Sequence, residues 1–381
     1  MGTEVLGIGL AGKTLTELER RILKEDPPYG VVLFGRNIGS VNQLRDLVSE
    51  VKSIAAQPPV IMIDEEGGRV DRLRNLLPGL PSAESFCEGE KPREMASWFG
   101  RIIGMALRYF DIEINLAPVV DIRSENAPKG LERRTFGRDV KTVVDLAGAF
   151  MDGMHAQGVA SCLKHWPGIG VGTADPHYGA TVIDVPLEEL MNRDLVPFRE
   201  LGASAGAIMI GHGTYPQVDD PDLPASLSRR LTEQLLRDIG FDGVAISDDM
   251  EMHAVSDLGS YEVICERALM AGNDVVLFCS HVERMPDLNR FLDRRAGEDA
   301  MFRLRFEDAL RRAEAYRLHC ENLRSASGAP ATWNSIVDEA IRFCQEFEKT
   351  RPHREIIVPD SERRKGSRNP GTGRSGREEW T

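Results

Sequence analysis

Eight short apolar runs recur along the chain, separated by longer segments in which apolar residues return with helical spacing. The runs are 5–10, 31–35, 60–64, 114–120, 159–163, 207–211, 244–248 and 275–279. Each is nearly continuous in its apolar character, which is typical of strands buried on both faces of a parallel sheet. The segments between them, including 42–57, 143–158, 187–204 and 232–240, have the period of amphipathic helices. Strand and helix therefore alternate along the chain.

This alternation predicts the fold. Eight strand and helix units favour an α/β fold of the (β/α)8 TIM-type barrel over an open doubly wound sheet. We predict one catalytic barrel domain over 1–325 and a helical extension over 326–352, because 331–349 can form one more amphipathic helix. We predict a disordered tail over 353–381, because the end of the chain is polar, basic and rich in Gly and Pro.

The net charge of the chain disfavours polyanionic partners. Sixty acidic residues against 47 basic ones give a formal net charge of −13, whereas nucleic acids and anionic membranes are bound through clustered Lys and Arg. We therefore expect neither as a partner. The first residues lack the pattern of a secretory signal, and no apolar run approaches ~18 residues, so we expect a cytoplasmic protein. The six scattered cysteines and the histidines lack metal-ligand spacing, so we expect free thiols and no metal or other cofactor.

Polar side chains follow several of the predicted strands directly. They are Asp64, Asp121, Lys164, His165, His212 and Asp248. In a barrel, the carboxyl ends of all strands open on one face, which is where active sites lie. A carboxylate there costs desolvation unless it is hydrogen-bonded or used in chemistry. This favours a functional role for one of the adjacent pair Asp248 and Asp249.

Two loops add further candidates. The loop at 63–74 places Gly67-Gly68 beside three successive acids. Either its backbone approaches a ligand, with Arg69 or Arg72 as a donor, or it is a solvated turn with an ion pair. The loop at 132–139 concentrates three arginines, including Arg134. Arginine suits a carboxylate, a phosphate or a polar sugar face, but loop arginines also commonly pair with nearby acids. Both alternatives stay open for each loop.

The segment 159–179 gathers ionisable side chains around a glycine-rich loop. In Asp175-x-His177 the carboxylate can hold one imidazole nitrogen and leave the other to move a proton, because histidine titrates near neutrality. The pair is common by chance. Its weight comes from its position a dozen residues after Lys164-His165, which the strand pattern places on a strand end.

In combination, these motifs resemble the single-domain β-N-acetylhexosaminidases of glycoside hydrolase family 3. The similar segments follow the family's order between about residues 5 and 285: 33–37, 63–72, 116–122, 134–139, 163–168, 173–177, 224–244 and 247–250. The resemblance implies a retaining glycosidase in which Asp248 is the nucleophile and His177, paired with Asp175, is the acid/base. It also implies sugar-binding roles for Asp64, Arg72, Arg134, Lys164, His165 and His212.

The implied reaction is hydrolysis of a terminal β-linked N-acetylglucosamine, with a muropeptide of peptidoglycan recycling as the natural substrate. We expect a monomer whose partner is a small carbohydrate. Two departures from the family pattern fall on one loop: Trp166 and Ile169 replace a phenylalanine and a histidine, and Pro176 replaces a serine. Because proline limits φ, the departures predict altered loop closure and leaving-group preference.

Several alternatives remain open at this point. A β-glucosidase of the same family generally takes its acid/base from a second domain, for which the chain after the last strand is too short and too helical. A histidine acid/base leaves room for phosphate, so a β-N-acetylglucosaminide phosphorylase is harder to exclude. Outside this chemistry stand a metal-dependent hydrolase, a Schiff-base enzyme using Lys164, and a sugar-binding barrel without catalysis.

Overall fold

The computed structural model describes residues 2–125, 127–174, 179 and 181–350. Its strands are β1 (Leu6–Gly9), β2 (Gly30–Leu33), β3 (Val60–Ile63), β4 (Ile114–Asn115), β5 (Ala160–Ser161), β6 (Leu163–Trp166), β7 (Thr173–Ala174), β8 (Thr181–Val182), β9 (Ala207–Ile210), β10 (Val244–Asp249) and β11 (Val275–Phe278). Within the described residues, nine of these strands form one parallel sheet in the order β5-β4-β3-β2-β1-β11-β10-β9-β6, and β7 and β8 form an antiparallel pair.

The parallel sheet closes into a barrel. Its two edge strands, β5 and β6, are consecutive pieces of one run separated only by Cys162, whose N–H donates to the carbonyls of Asn115 and Ala117. The sheet therefore returns to its own starting strand, and eight strand positions surround the axis. The predicted (β/α)8 barrel is confirmed, with one refinement: the fifth predicted strand is interrupted at Cys162 and continues to Trp166.

The helices are α1 (Glu17–Glu25), α2 (Val41–Ile54), α3 (Pro92–Tyr109), α4 (Val140–His155), α5 (Leu187–Asn192), α6 (Val196–Ala205), α7 (Leu235–Asp238), α8 (His253–Ser256), α9 (Tyr261–Ala271), α10 (Met285–Glu298), α11 (Ala300–Ala326) and α12 (Trp333–Thr350). Side-chain caps start several of them; Thr16 and Glu19 form a capping box at α1. The single helix predicted at 187–204 is instead α5 and α6. Pro197 explains the break, because it lacks the N–H that would bond four residues back.

Helix α11 closes the amino end of the barrel. The Tyr316 hydroxyl donates to the Ser161 carbonyl at 2.6 Å, and Arg317 Nη1 donates to the Pro58 carbonyl at 2.7 Å. Ala313 and Cys320 of α11 pack with inward-facing strand residues in one apolar cluster. The barrel interior is thus a packed core under α11, and the polar strand ends lie at the opposite, carboxyl end.

Helix α12 packs against the outside of the barrel. Phe347 lies 4.8 Å, between ring centroids, from Phe86, and Phe343 stacks on Phe99 at 6.0 Å. The Trp98 indole N–H donates to Glu339 at 2.8 Å. The helix predicted at 331–349 is confirmed, whereas 353–381 lie outside the described residues and the domain boundaries stay a prediction.

The cysteines and the helices bear on the expected thiol state and on membrane spanning. All six cysteines are free thiols, as expected. Among the helices of the described ranges, none combines the length and apolar character needed to cross a membrane.

Candidate active site

Seven of the nine predicted site residues lie within the described part of the chain, at the carboxyl ends of barrel strands or in the loops that follow them. They are Asp64, Arg72, Arg134, Lys164, His165, His212 and Asp248. Asp175 and His177 lie outside the described residues, in the connection between β7 and β8. The barrel topology therefore brings the seven described residues to one end of the sheet, as the positions of the strand ends predicted.

Lys164 is the centre of a buried charge cluster. Its Nζ lies 2.5 Å from Asp64 Oδ1 and 2.6 Å from Glu66 Oε1, and the residue is only 2% exposed. Arg134 donates two parallel hydrogen bonds to the carboxylate of the same Glu66, from Nε at 2.8 Å and from Nη2 at 2.9 Å. Such charge-assisted, bidentate contacts fix both direction and position. The long side chains at the barrel mouth are thus held in one arrangement.

These charges keep one another ionised. Burial raises the pKa of Glu66, but Lys164 and Arg134 outweigh burial and lower that pKa to about 2. Burial likewise opposes the charge of Lys164, while Asp64 and Glu66 prevail and raise its pKa. Asp64 and Glu66 lie two residues apart after a strand, a spacing that puts both side chains on one face of an extended chain. That spacing could have identified Glu66, which the sequence analysis did not single out.

His165 is oriented by Asp121. Asp121 Oδ2 lies 2.8 Å from His165 Nδ1 and accepts the His165 N–H at 3.2 Å, while its Oδ1 accepts the Ile169 N–H at 2.7 Å. This places Nδ1 against the carboxylate, so Nε2 is the ring nitrogen that a ligand can reach. The orienting role of Asp121 was not predicted, because nothing near it in the sequence points to His165.

Asp248 and Asp249 differ sharply in their surroundings. Asp248 Oδ1 accepts the Asp249 N–H at 2.8 Å. Burial opposes the ionisation of Asp248, but His212, His165 and Lys164 outweigh it, and its pKa is lowered. Burial raises the pKa of Asp249 to about 6; its Oδ1 accepts the N–H groups of Glu251 and Cys279. Asp248 is therefore the carboxylate that stays ionised beside the cationic side of the site.

His212 already has partners on both ring nitrogens. Nδ1 lies 2.8 Å from Ser226 Oγ, and Nε2 lies 3.0 Å from the Asp249 carbonyl. Burial lowers the pKa of His212 against the opposing charge of Asp248, and Nε2, which faces a carbonyl, is a donor. These contacts fix the end of β10. Direct sugar binding by His212 stays a prediction.

Arg72 lies against an aromatic ring. Its guanidinium carbon is 5.8 Å from the centroid of Phe34, whose ring also carries Arg36 at 4.4 Å. The Arg72 Nε is buried and has no hydrogen-bond partner within the described residues. A buried donor of this kind is costly unless a ligand satisfies it, which supports a binding role for Arg72.

The departures from the family pattern are accommodated at the start of the loop. Trp166 is fully buried, donates its indole N–H to the Leu231 carbonyl at 2.7 Å, and meets Phe198 edge-on at 5.2 Å. Gly168 has φ +107°, and a Cβ on it would lie 2.7 Å from that of Asp194. Trp166 is therefore a core residue. Pro176 lies outside the described residues.

Asp194, packed under Gly168, gives this region a pH dependence. Burial outweighs the opposing charge of Arg193, whose Nη1 lies 3.9 Å from Oδ2, and raises the pKa of Asp194 to about 7; neither carboxylate oxygen has a hydrogen-bond partner in the described ranges. Because the folded pKa exceeds the unfolded one, its stabilisation is full below about pH 4 and is lost as pH rises through about 7. Relative to Asp194→Asn, the wild type should lose up to about 4 kcal/mol of unfolding free energy across that window.

Urea unfolding at several pH values measures this difference. The matched control is Asp293→Asn, which changes an exposed carboxyl of α10 and should keep the wild-type pH slope. Equal slopes in the wild type and Asp194→Asn would contradict the prediction.

Comparison with known proteins agrees with this geometry. The family model described as "Glycosyl hydrolase family 3 N terminal domain" matches residues 8–312. A "Beta-hexosaminidase" of Glaesserella parasuis is 37% identical over 279 residues, covering 72% of this chain and 81% of that protein. One of Pseudomonas aeruginosa is 36% identical over 281 residues, covering 73% and 82%.

Solved structures give the same result. A family 3 β-N-acetylglucosaminidase from Paenibacillus superposes with a TM-score of 0.80 at 28% identity, covering 91% of this chain and 68% of that one. NagZ from Neisseria gonorrhoeae, in complex with N-trifluoroacetyl-D-glucosamine, superposes with a TM-score of 0.71 at 28% identity, covering 88% and 97%. The chain therefore belongs to glycosyl hydrolase family 3 and is a glycoside hydrolase.

Proposed function

We propose that the protein removes terminal β-linked N-acetylglucosamine from carbohydrate substrates by hydrolysis with retention of configuration. The observation that carries the proposal is the position of Asp248 at the carboxyl end of β10, where His212, His165 and Lys164 lower its pKa despite burial. The names of the relatives support the choice of sugar, since those proteins are β-hexosaminidases. By the resemblance, the natural substrate is a muropeptide.

In the first step, a carboxylate oxygen of Asp248 attacks the anomeric carbon. The bond to the leaving oxygen breaks, and protonated His177, oriented by Asp175, gives that oxygen its proton. The product is a covalent glycosyl-enzyme. In the second step, neutral His177 takes a proton from water, which attacks the anomeric carbon and frees Asp248. Two inversions give net retention.

The charge cluster supplies the sugar contacts in this proposal. Asp64 has one oxygen on Lys164 and is partly exposed, so its other oxygen can accept a hydrogen bond from a sugar hydroxyl. Lys164, Arg134 and Arg72 offer donors, as does His165 through Nε2. Glu66 positions Lys164 and Arg134. Because Asp64, Glu66, Lys164 and Arg134 are already paired with one another, this part of the site is organised before substrate arrives.

The test is an assay of nitrophenyl glycosides of N-acetylglucosamine, glucose and xylose, each with and without phosphate. We expect release from the N-acetylglucosaminide, the free sugar as product, and no dependence on phosphate. A sugar phosphate would establish phosphorolysis, preference for the glucoside would establish a β-glucosidase, and sugar binding with no release from any glycoside would establish a non-catalytic barrel.

Replacing Lys164 by Met tests the charge cluster. The change removes the ion-pair partner of Asp64 and leaves Glu66 with Arg134 alone, so the free energy of unfolding should fall by roughly 3 kcal/mol. KM for the N-acetylglucosaminide should rise roughly tenfold or more, because charge-assisted contacts that organise the site are lost. Urea unfolding and initial rates measure the two effects.

Lys52→Met is the matched control. Lys52 of α2 also bridges two acids, Asp111 and Glu113, but at the amino ends of β3 and β4. It should lower stability and leave KM unchanged. If Lys164→Met behaved in the same way, the cluster would have a structural role only.

A further inference from the structure

Two buried carboxyl groups lie in the loop that follows β3. Glu65 is fully buried and Asp71 is 2% exposed. The Glu65 carboxylate accepts the N–H of Arg72, the residue after Asp71, at 2.8 Å, and a hydrogen bond from Glu65 lowers the pKa of Asp71. No ion pair within the described ranges reaches either carboxyl, so the pair has to be stabilised in another way.

Main-chain N–H groups donate hydrogen bonds to one oxygen of each carboxyl group. Glu65 Oε2 accepts the N–H groups of Arg72 at 2.8 Å and Leu73 at 3.0 Å, and Asp71 Oδ2 accepts that of Leu80 at 3.3 Å. The remaining oxygens, Glu65 Oε1 and Asp71 Oδ1, are buried without a partner among the described residues. Two carboxylates cannot bond to each other, but a carboxylic acid donates to a carboxylate. One proton would satisfy both remaining oxygens.

Glu65 is the better site for that proton. Burial and the neighbouring Asp71 raise the pKa of Glu65 well above its usual range. Burial also raises the pKa of Asp71, whereas the hydrogen bond from Glu65 acts in the opposite direction. The charged groups facing the pair are Arg72 and Arg74, on the same loop; Asn115 of β4 faces it as a neutral amide that bonds the Glu65 main chain.

We propose that Glu65 keeps a proton at neutral pH and donates it to Asp71, and that this hydrogen bond positions the sugar-binding residues of the loop. The inference rests on the proposed function for its effect on substrate binding, but the shared proton itself does not. Glu65 and Asp71 are positioning residues.

The proposed hydrogen bond between Glu65 and Asp71 joins the two sides of the loop next to its tight turn. Glu66 and Val70 are joined by a main-chain hydrogen bond of 2.9 Å around Gly67 and Gly68, whose φ values of +78° and +57° suit glycine. Glu65 and Asp71 flank this turn. Asp64 and Glu66 adjoin Glu65, and Arg72 adjoins Asp71, so a shift of the pair would move all three.

Ionisation of Glu65 would place two negative charges side by side in a buried site. The stabilising effect of the shared proton is therefore full below the unfolded pKa of a glutamate and is lost as pH rises through the raised folded pKa of Glu65. The loop should loosen on the alkaline side, and substrate binding should weaken there.

Glu65→Gln tests this with little change of shape. The amide Nε2 can donate to Asp71 at every pH, and Oε1 can accept the two N–H groups. At neutral pH the variant should match the wild type in KM, because both have a donor to Asp71, whereas the unfolding free energies should match only below about pH 4. As pH rises from there through the raised folded pKa of Glu65, the wild type should lose unfolding free energy relative to the variant, and on the alkaline side its KM should rise while that of the variant stays level. The infrared band of a protonated carboxylic acid should be weaker in the variant.

Glu65→Leu is the disruptive counterpart, because it removes the donor and leaves Asp71 and two N–H groups unsatisfied. KM should rise about tenfold at neutral pH. An unchanged infrared band together with an unchanged alkaline slope in Glu65→Gln would overturn the proposal. Because the infrared and unfolding measurements require no turnover, the shared proton is tested even if the proposed substrate is wrong.

Discussion

Replacing Asp248 by Asn is expected to lower kcat for the N-acetylglucosaminide by about 10⁴-fold or more, the scale seen when a nucleophile is removed. The neutral amide cannot form the covalent glycosyl-enzyme. Folding should be preserved, because Asn Oδ1 can still accept the N–H of residue 249. The measurement is single-turnover kinetics, with unfolding free energy as the check on folding.

Asp249→Asn is the matched control for this prediction. Asp249 is adjacent in sequence and also buried, but its Oδ1 accepts two main-chain N–H groups, a role that asparagine can keep. Its kcat should fall by about tenfold at most. A larger loss of kcat for Asp249→Asn than for Asp248→Asn would show that Asp249, and not Asp248, is the nucleophile.

Replacing His177 by Ala should lower kcat by about 10²- to 10⁴-fold, the range of general acid/base catalysis. The loss should be greater for an alkyl glycoside than for a nitrophenyl glycoside, because a poor leaving group needs the proton more. Rates on the two substrates, compared as a ratio, measure this selectivity.

His253→Ala is the control, since His253 is an exposed histidine of α8 near Gly179, at the end of the same connection. It should leave the ratio unchanged. If His177→Ala slowed both substrates equally, His177 would have no role in protonating the leaving group.

Much of the fold could be predicted from the sequence because each barrel strand is buried on both faces and so forms a distinct apolar run. The break between α5 and α6 was missed, although Pro197 marks it. The interruption at Cys162 has no comparable signal, because it arises where one N–H is shared between the carbonyls of Asn115 and Ala117.

The site divides in the same way. Asp64, Lys164 and Asp248 could be predicted because they follow strands directly, and a barrel collects all strand ends. Glu66 was marked only by its spacing from Asp64. The position of Asp121 near a strand end could also be predicted, but its contact with His165 and that of Asp194 with Gly168 join residues far apart in sequence, so only the folded chain reveals those contacts.

The same limit applies to Glu65 and Asp71. As letters, 64–66 are three acids in a row, a pattern that an exposed turn also shows. In the folded chain the acids have different surroundings. Glu66 pairs with Arg134 and Lys164, whereas Glu65 has no such pair in the described residues and lies near another acid, Asp71. In our proposal the two neighbouring carboxyls thus differ in protonation, because sequence-distant Lys164 and Arg134 hold Glu66 ionised, whereas Glu65 is buried beside Asp71 of its own loop.

In the proposed mechanism, Asp248 forms a covalent bond to the sugar. An activated fluorosugar analogue of N-acetylglucosamine, which slows breakdown of the intermediate, should label the protein at one position that peptide mass spectrometry can identify. The account predicts the label on Asp248 and its absence from Asp248→Asn. Label on any other residue, or turnover without label and with inversion at the anomeric carbon, would contradict it.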